Sequence, residues 1–459
     1  MSRHRTKPFT THDLLLLLVA FLGIFLYGLL AALPGSVLPT LERNLYLPGD
    51  SDVATFLLIN AVGAVLAYLV SGPIIDRLGK KFALLAGTAI VIASMVGFAL
   101  TVTQVGPATA LPLIFACSLL LGLGANAIVS AGHALVADVA TAWRNAALNL
   151  LDVCFGLGLM TLPLFVQGFQ RSGGLGLIFW LLAGAALVLI ILVLTLKFPS
   201  AAHPESFPIS EAKDLFKNRS FWLLAIALFM YVGAEVSVGK WVVTFMERDA
   251  QLLGNSGLNP TRLQEITEAS PAVLSRFFEQ DPVGIGIATY ALRTLSFFAL
   301  ALLSGRLVSS FLLGVLKVNS FRLLTAGSAI TTLGLALGFT ASSPETVRWA
   351  LIISGFGMGP IFPTSVGLAS VMVPRIAGTA MSLVMGVGFA GLLLIPPAVG
   401  YLSAAVGGEA GNVRAGLMAV LAASVAMLLL HIVLTWRERR LAGISETALE
   451  MKAAAAESD

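Results

Sequence analysis

Of the 459 residues, 57% are hydrophobic and only 11% charged, with a mean hydropathy of +0.92, whereas a soluble domain carries about 25% charge. A water-soluble globular chain is excluded, and the bilayer is left as the main solvent. The formal charge of +4 reads as loop topology rather than nucleic-acid binding, and two cysteines, Cys117 and Cys154, are too few for a disulfide framework or a metal cluster.

Apolar runs long enough to cross a bilayer extend from Leu14 to Leu38, Val53 to Ile75, Phe82 to Thr103, Leu111 to Ala137, Ala146 to Phe169 and Gly174 to Leu196. They resume from Phe221 to Phe245, Gly284 to Phe311, Phe321 to Thr340, Trp349 to Val373, Ile376 to Leu402 and Leu417 to Trp436. None shows the ten-residue alternation of a barrel strand, so an all-α membrane protein with twelve transmembrane helices is expected. Arg3, Arg5 and Lys7 precede a first span too long for a signal-peptide core, which reads as an uncleaved N-terminus.

The larger share of Lys and Arg, including Arg77, Lys80, Lys81, Lys213, Lys217 and Arg437, falls on the side of both termini. The positive-inside rule therefore makes both termini cytoplasmic. Residues 197–219, with Pro199, Pro204 and Pro208, divide the chain into a six-helix half at 1–196 and another at 220–436, followed by a tail at 437–459. Such a division is the repeat signature of carriers whose halves rock about a central site. An insertion at 247–283 is far longer than the other loops on the opposite side, and Pro260 and Pro271 mark the starts of two short amphipathic helices. It reads as an inert insertion, a lid or a partner surface.

Between the second and third spans stands Gly72-Pro-Ile-Ile-Asp76-Arg77-Leu-Gly79-Lys80-Lys81. Gly79 permits a tight turn, and Asp76 is free to pair with a basic group or a helix N-terminus of the other half, latching one conformation. This segment resembles the signature loop of the major facilitator superfamily. The resemblance implies that fold, with gating residues Gly72, Asp76, Arg77, Gly79 and Lys80. Four further stretches resemble the fucose permease-like branch: Asn145 to Gly158 with Pro163, Tyr231 to Trp241, Gly355 to Thr364, and Gly378 to Gly400 with Pro396 and Pro397. That branch implies cation-coupled sugar uptake. The fourth span departs from the branch pattern, with Val129 and His133 where it has an acidic residue and an asparagine. Asp152 replaces an uncharged or histidine position of the fifth.

An ionised side chain at the bilayer centre costs about 3 kcal/mol or more, so such groups face a partner or a water path. His133 and Asp152 lie at similar distances from the turn joining the fourth and fifth spans, which predicts a pair. The same depth arithmetic pairs Glu235 with Arg293 in the seventh and eighth. Each pair reads either as a permanent bridge or as part of proton coupling. The histidine–carboxylate pair suits coupling better because it titrates near neutral pH. Lys240 sits near a span end and is expected to snorkel. Asn60, Asn126, Ser130, Asn149 and Glu235 offer hydrogen bonds to a polar substrate, and Tyr27, Trp241 and Tyr290 offer ring faces; helix-to-helix bonding is the alternative for the amides.

No GxxxxGK[ST] run is present to drive an ATP-powered pump. The sequence thus predicts a carrier, not an enzyme, that needs no cofactor or metal. It acts as a monomer in an inner or plasma membrane on a small-molecule substrate with a proton or sodium ion. A sugar symporter is the first reading and a proton-driven exporter of drugs or metabolites the second.

Overall fold

Hydrocarbon offers backbone amides no water, so each crossing must bond its own carbonyls. In the computed structural model the crossings are all helical, and no strand occurs among the described residues, which are 10–140, 144–199, 218–267, 269–373, 377–408 and 411–456. The first crossing, Thr11–Arg43, opens on a reciprocal cap in which the Thr10 hydroxyl accepts from the Asp13 amide at 3.2 Å and the Asp13 carboxylate accepts from the Thr10 amide at 2.9 Å.

Two continuous helical segments each contain two crossings. Asp50–Gln104 turns at Gly79, whose φ of 86° and ψ of 162° suit glycine alone. Arg144–Thr195 turns at Gly174, with φ of 68°. The others are Pro107–Val139, Arg219–Arg248, Pro282–Gly314, Ser320–Thr340, a tenth crossing split into Pro344–Met358 and Ile361–Met372, an eleventh split into Ala377–Ala390 and Ile395–Gly407, and Val413–Ala456. Eleven helices are long and apolar enough to span, and one of them, Leu150–Thr195, holds two crossings, giving twelve among the described residues.

The two split crossings break where proline withholds an amide. Pro360 follows Met358–Gly359, and Pro396 and Pro397 follow a 3-10 turn at Gly391–Leu393. The insertion forms helices starting at Pro260 and Pro271, as the sequence predicts, preceded by a five-residue helix at Ala250–Gly254. Most of the predicted connector, 200–217, lies outside the described residues.

Helix contacts made by glycine recur between the first six crossings and the last six. A Cβ on Gly158 would stand 2.2 Å from the Phe25 carbonyl oxygen of the first crossing, and one on Gly391 2.2 Å from the Phe229 oxygen of the seventh. Gly122 meets the Asn60 oxygen between the fourth and second crossings, as Gly305 meets the Phe356 oxygen between the eighth and tenth. Gly87 faces Gly124, as Gly327 faces Gly357. The same three helix pairs therefore touch backbone to backbone in each set of six, as small residues allow in lipid.

This packing is sensitive to one methyl group. Gly158→Ala is expected to cost about 1–3 kcal/mol by overpacking. Gly184, with open space around its Cβ position, should accept alanine without loss. Thermal unfolding of the two purified variants in one detergent checks the contrast, and equal melting temperatures would refute it.

Candidate functional site

Two layers of charge connect the two sets of crossings. The first lies at the end of the bundle that carries the 247–283 insertion, called here the insertion face; the opposite end, with both termini, is the terminal face. At the insertion face Arg43, the last residue of the first crossing, is ion-paired with Glu247 at the end of the seventh, and both side chains are at most 10% exposed. The next residue, Arg248, bridges Glu42 at 2.9 Å and Asp50 at 2.5 Å. Asp50 is fully enclosed and also accepts from the Ser403 hydroxyl of the eleventh crossing. Arg414 holds Asp249 through two bonds of 2.7 Å, fixing the end of the seventh crossing to the twelfth.

Backbone contact supports this clasp from below. A Cβ on Gly35 would lie 1.9 Å from the Gly239 oxygen, so the first and seventh crossings touch there. The insertion leans on the same place. The Arg43 guanidinium stands 4.6 Å over the Phe278 ring, and the Ser275 hydroxyl donates to the Asn44 side-chain oxygen at 3.0 Å. Among the described residues, every ion pair between the first six crossings and the last six lies in this clasp.

The second layer is at mid-depth. His133 Nε2 and Asp152 Oδ1 are 3.7 Å apart, the pair expected from the sequence, with side chains 40% and 42% exposed. His133 Nδ1 lies 2.9 Å from the Val129 carbonyl, so this nitrogen is the N–H donor and Nε2 is left to face the carboxylate. Glu235 is paired with Arg306 at 3.7 Å, both about one-sixth exposed. This corrects the expected Glu235–Arg293 pair: Arg293 is exposed on the outside of the eighth crossing. Arg306, which is not among the site residues expected from the sequence, is the cation at the centre. It feels Asp152 across the gap and lies 6.0 Å over the ring of Phe155.

Aromatic rings close the gap between these charges. Tyr27 stacks on Phe155 with centroids 5.3 Å apart, and its hydroxyl donates to the Asn126 side-chain oxygen at 3.4 Å. Tyr68, of the second crossing, stacks on Phe389 of the eleventh at 4.9 Å. Among the described residues the buried Tyr68 hydroxyl and Arg306 Nε make no hydrogen bond, while the Tyr231 hydroxyl stands within the field of Glu235 and Arg306. Buried donors left in this way are satisfied by water or by a ligand.

Other expected site residues have different places. Trp241 is fully buried and its indole N–H donates to the Pro396 carbonyl at 2.9 Å, so its ring is helix packing and not a stacking face. Tyr290 lies away from the centre, under the Arg348 guanidinium at 3.2 Å. Asn60 donates to the Ser118 carbonyl at 3.0 Å, tying the second crossing to the fourth. Ser130 donates to the Asn126 carbonyl at 3.1 Å within its own helix. Lys240 is buried at the crossing of the first and seventh helices instead of snorkelling. The side chains of Asn149 and Asp76 lie outside the described ones. Of the gating residues, Gly72 and Arg77 are exposed, Gly79 makes the turn, and Lys80 is ion-paired with Asp138 of the fourth crossing. Lys81 donates to the Leu194 and Leu196 carbonyls at 3.1 and 2.7 Å, where a cation suits a helix C-terminus.

The family described as the Major Facilitator Superfamily matches residues 20–259. The chain belongs to the major facilitator superfamily. Bypass of stop codon protein 6 of Saccharomyces cerevisiae is 22% identical over 436 residues, covering 88% of this chain and 79% of that protein. A putative glucose/galactose transporter of Helicobacter pylori is 24% identical over 222 residues, 48% of this chain and 45% of its own length. Among solved structures, a nucleoside transporter superposes with a TM-score of 0.68 at 14% identity, covering 93% of this chain and 99% of the other. A D-xylose-proton symporter does so with 0.66 at 16% identity, covering 90% and 97%. Membership of the family, with the apolar crossings, makes the chain a multi-pass membrane transporter, and the solved structures share its fold.

In a transporter of this superfamily the clasp should hold the insertion face closed. Breaking one buried ion pair costs about 3–5 kcal/mol, enough to shift a two-state equilibrium by more than a hundredfold. Spin labels at Asn44 and Gln251 should therefore report a longer, broader distance distribution in Arg43→Gln/Arg248→Gln than in the parent. An unchanged distribution would show that the clasp does not hold this face.

Proposed function

We propose that this protein is a proton-coupled symporter of a sugar or a similar small polar solute, working by alternating access in an inner or plasma membrane with both termini in the cytoplasm. The carrying observation is the mid-depth layer: a titratable His133–Asp152 pair beside unpaired buried donors and stacked rings contributed by both sets of helices. Polyhydroxylated solutes need many hydrogen-bonding groups and flat apolar faces, and this layer offers both. Resemblance to the fucose permease-like branch and likeness to proteins named as a D-xylose-proton symporter and a putative glucose/galactose transporter support the same reading.

The chemistry of coupling follows from the tautomer. With His133 Nδ1–H committed to the Val129 carbonyl, an arriving proton has two places: Nε2, giving an imidazolium against a carboxylate, or Asp152, giving a neutral acid that donates to Nε2. Either form carries one proton on the pair. From the neutral-acid form, discharging that proton restores the Asp152 carboxylate and its attraction to Arg306 across the gap. The rival reading, a proton-driven exporter, uses the same pair with opposite substrate flow. In both readings the functional unit is one twelve-helix chain.

Purified protein in liposomes with an inward proton gradient should accumulate a labelled hexose or pentose. Asp152→Asn should lose gradient-driven accumulation by at least about tenfold while retaining exchange down a substrate gradient. Undiminished accumulation in that variant would remove Asp152 from coupling. Failure of the parent with every sugar, together with exchange of lipophilic cations for protons, would favour the exporter.

A further inference from the structure

Arg293 is the charge left unexplained by the central site: it is exposed on the outer surface of a membrane-spanning helix and has no partner among the described residues. It does not stand alone there. Counting down the eighth crossing, Arg293, Phe297, Leu300 and Ser304 are spaced four, three and four residues apart, so they form one stripe along the helix. Its lower three members line a groove of about 400 Å³ between the eighth, ninth and tenth crossings, closed on the far side by Ile330, Ile353 and Phe356. Phe297, Leu300, Ile353 and Phe356 are 38%, 42%, 43% and 39% exposed, so the groove opens outward to the hydrocarbon.

A second cation stands at its upper end. The Arg348 guanidinium lies 5.5 Å from the Phe297 ring and is an electrostatic neighbour of Arg293. Its Nε donates to the Thr294 hydroxyl at 3.1 Å and one Nη to the Tyr290 carbonyl at 3.2 Å, which fixes the side chain and leaves three of its five N–H bonds unspent. The carboxylate acting on Arg348 is Glu345, one turn earlier on the same helix, so the local balance is one positive charge. Arg348 is only four residues from the start of its helix at Pro344, beside the exposed Trp349, which puts both arginines at the headgroup level of the insertion face.

We infer that this groove is a binding site for an anionic phospholipid of the insertion-face leaflet. Its phosphate is held between Arg293 and Arg348, and an acyl chain lies along Phe297, Leu300 and Ile353. The stripe explains why an arginine is placed toward lipid at all: a fixed guanidinium there gains a phosphate partner that a zwitterionic surface supplies less well. The rest of the site is apolar and needs no specific chemistry from the chain.

Native mass spectrometry of the full-length protein in detergent tests this with phosphatidylglycerol and phosphatidylcholine of matched chains. The parent should bind the first at least about fivefold more tightly. Arg293→Gln/Arg348→Gln should bind both alike, and Arg293→Lys should keep most of the preference, which separates lost charge from lost fold. Leu300→Trp, filling the groove, should weaken both lipids. Equal affinity of the parent for the two lipids would overturn the proposal, as would an undiminished preference in the double Gln variant. Competition by free glycerol phosphate at concentrations similar to those of the lipid would assign the site to the headgroup alone and overturn the groove.

Discussion

A full charge enclosed among apolar helices is costly unless a countercharge stands within reach, and this one constraint places most of the ionic groups of the bundle. Arg306 lies at mid-depth because Glu235 and Asp152 are there to receive it. Arg43 and Arg248 are enclosed at the insertion face because Glu42, Asp50 and Glu247 converge on them. The two partners of each such pair come from different helices, so pairing charges and positioning helices become a single requirement. The partners are not interchangeable, because removing one strands the other.

That requirement also sets how a transporter of this family moves. Desolvated ion pairs gain little over their separated, hydrated forms, since most of the attraction repays lost hydration. A clasp built of them is thus close to neutral between closed and water-filled states while being intolerant of half-broken ones, which favours two discrete arrangements. The glycine contacts at Gly28 and Gly158, and again at Gly233 and Gly391, add rigidity within each set of six helices. On the alternating-access reading proposed above, rigid sets joined by a poised ionic surface rock as bodies instead of deforming.

The helices were legible in the sequence because span length and hydropathy are set by the bilayer and need no knowledge of neighbours. The His133–Asp152 pair was legible for a related reason: a short turn joins those two helices, so distance from the turn measures depth. The same arithmetic fails for Glu235 because 247–283 separates its helix from the next. The eighth helix begins at Pro282 and Arg306 lies 24 residues along it, whereas Glu235 is 13 residues from the end of the seventh. Helix eight therefore starts roughly 16 Å beyond that end, at 1.5 Å per residue, and Arg293 falls near the surface instead of beside Glu235. Trp241 and Tyr290 were misplaced for want of rotation: their depth was readable, but the direction in which a helix faces depends on packing that composition does not encode.

The two sets of helices repeat each other in packing and differ in chemistry, and the difference carries the functional argument. In the first set the central charges are a histidine and an aspartate 3.7 Å apart, and on the proposed reading this is where the proton binds. In the second they are an arginine, which holds its proton throughout, and a glutamate bound to it. One side is a switch and the other a fixed electrode. On the proposed reading, protonating Asp152 removes its attraction and leaves Arg306 with Glu235 as countercharge, at a point where Nε has no hydrogen-bond partner among the described residues. Proton binding would then create the vacancy that a hydroxyl of the substrate fills, and discharge of the proton would draw Arg306 back to Asp152 and expel it. Coupling of this kind requires no contact between proton and substrate, only that the substrate and the Asp152 carboxylate compete for the same guanidinium.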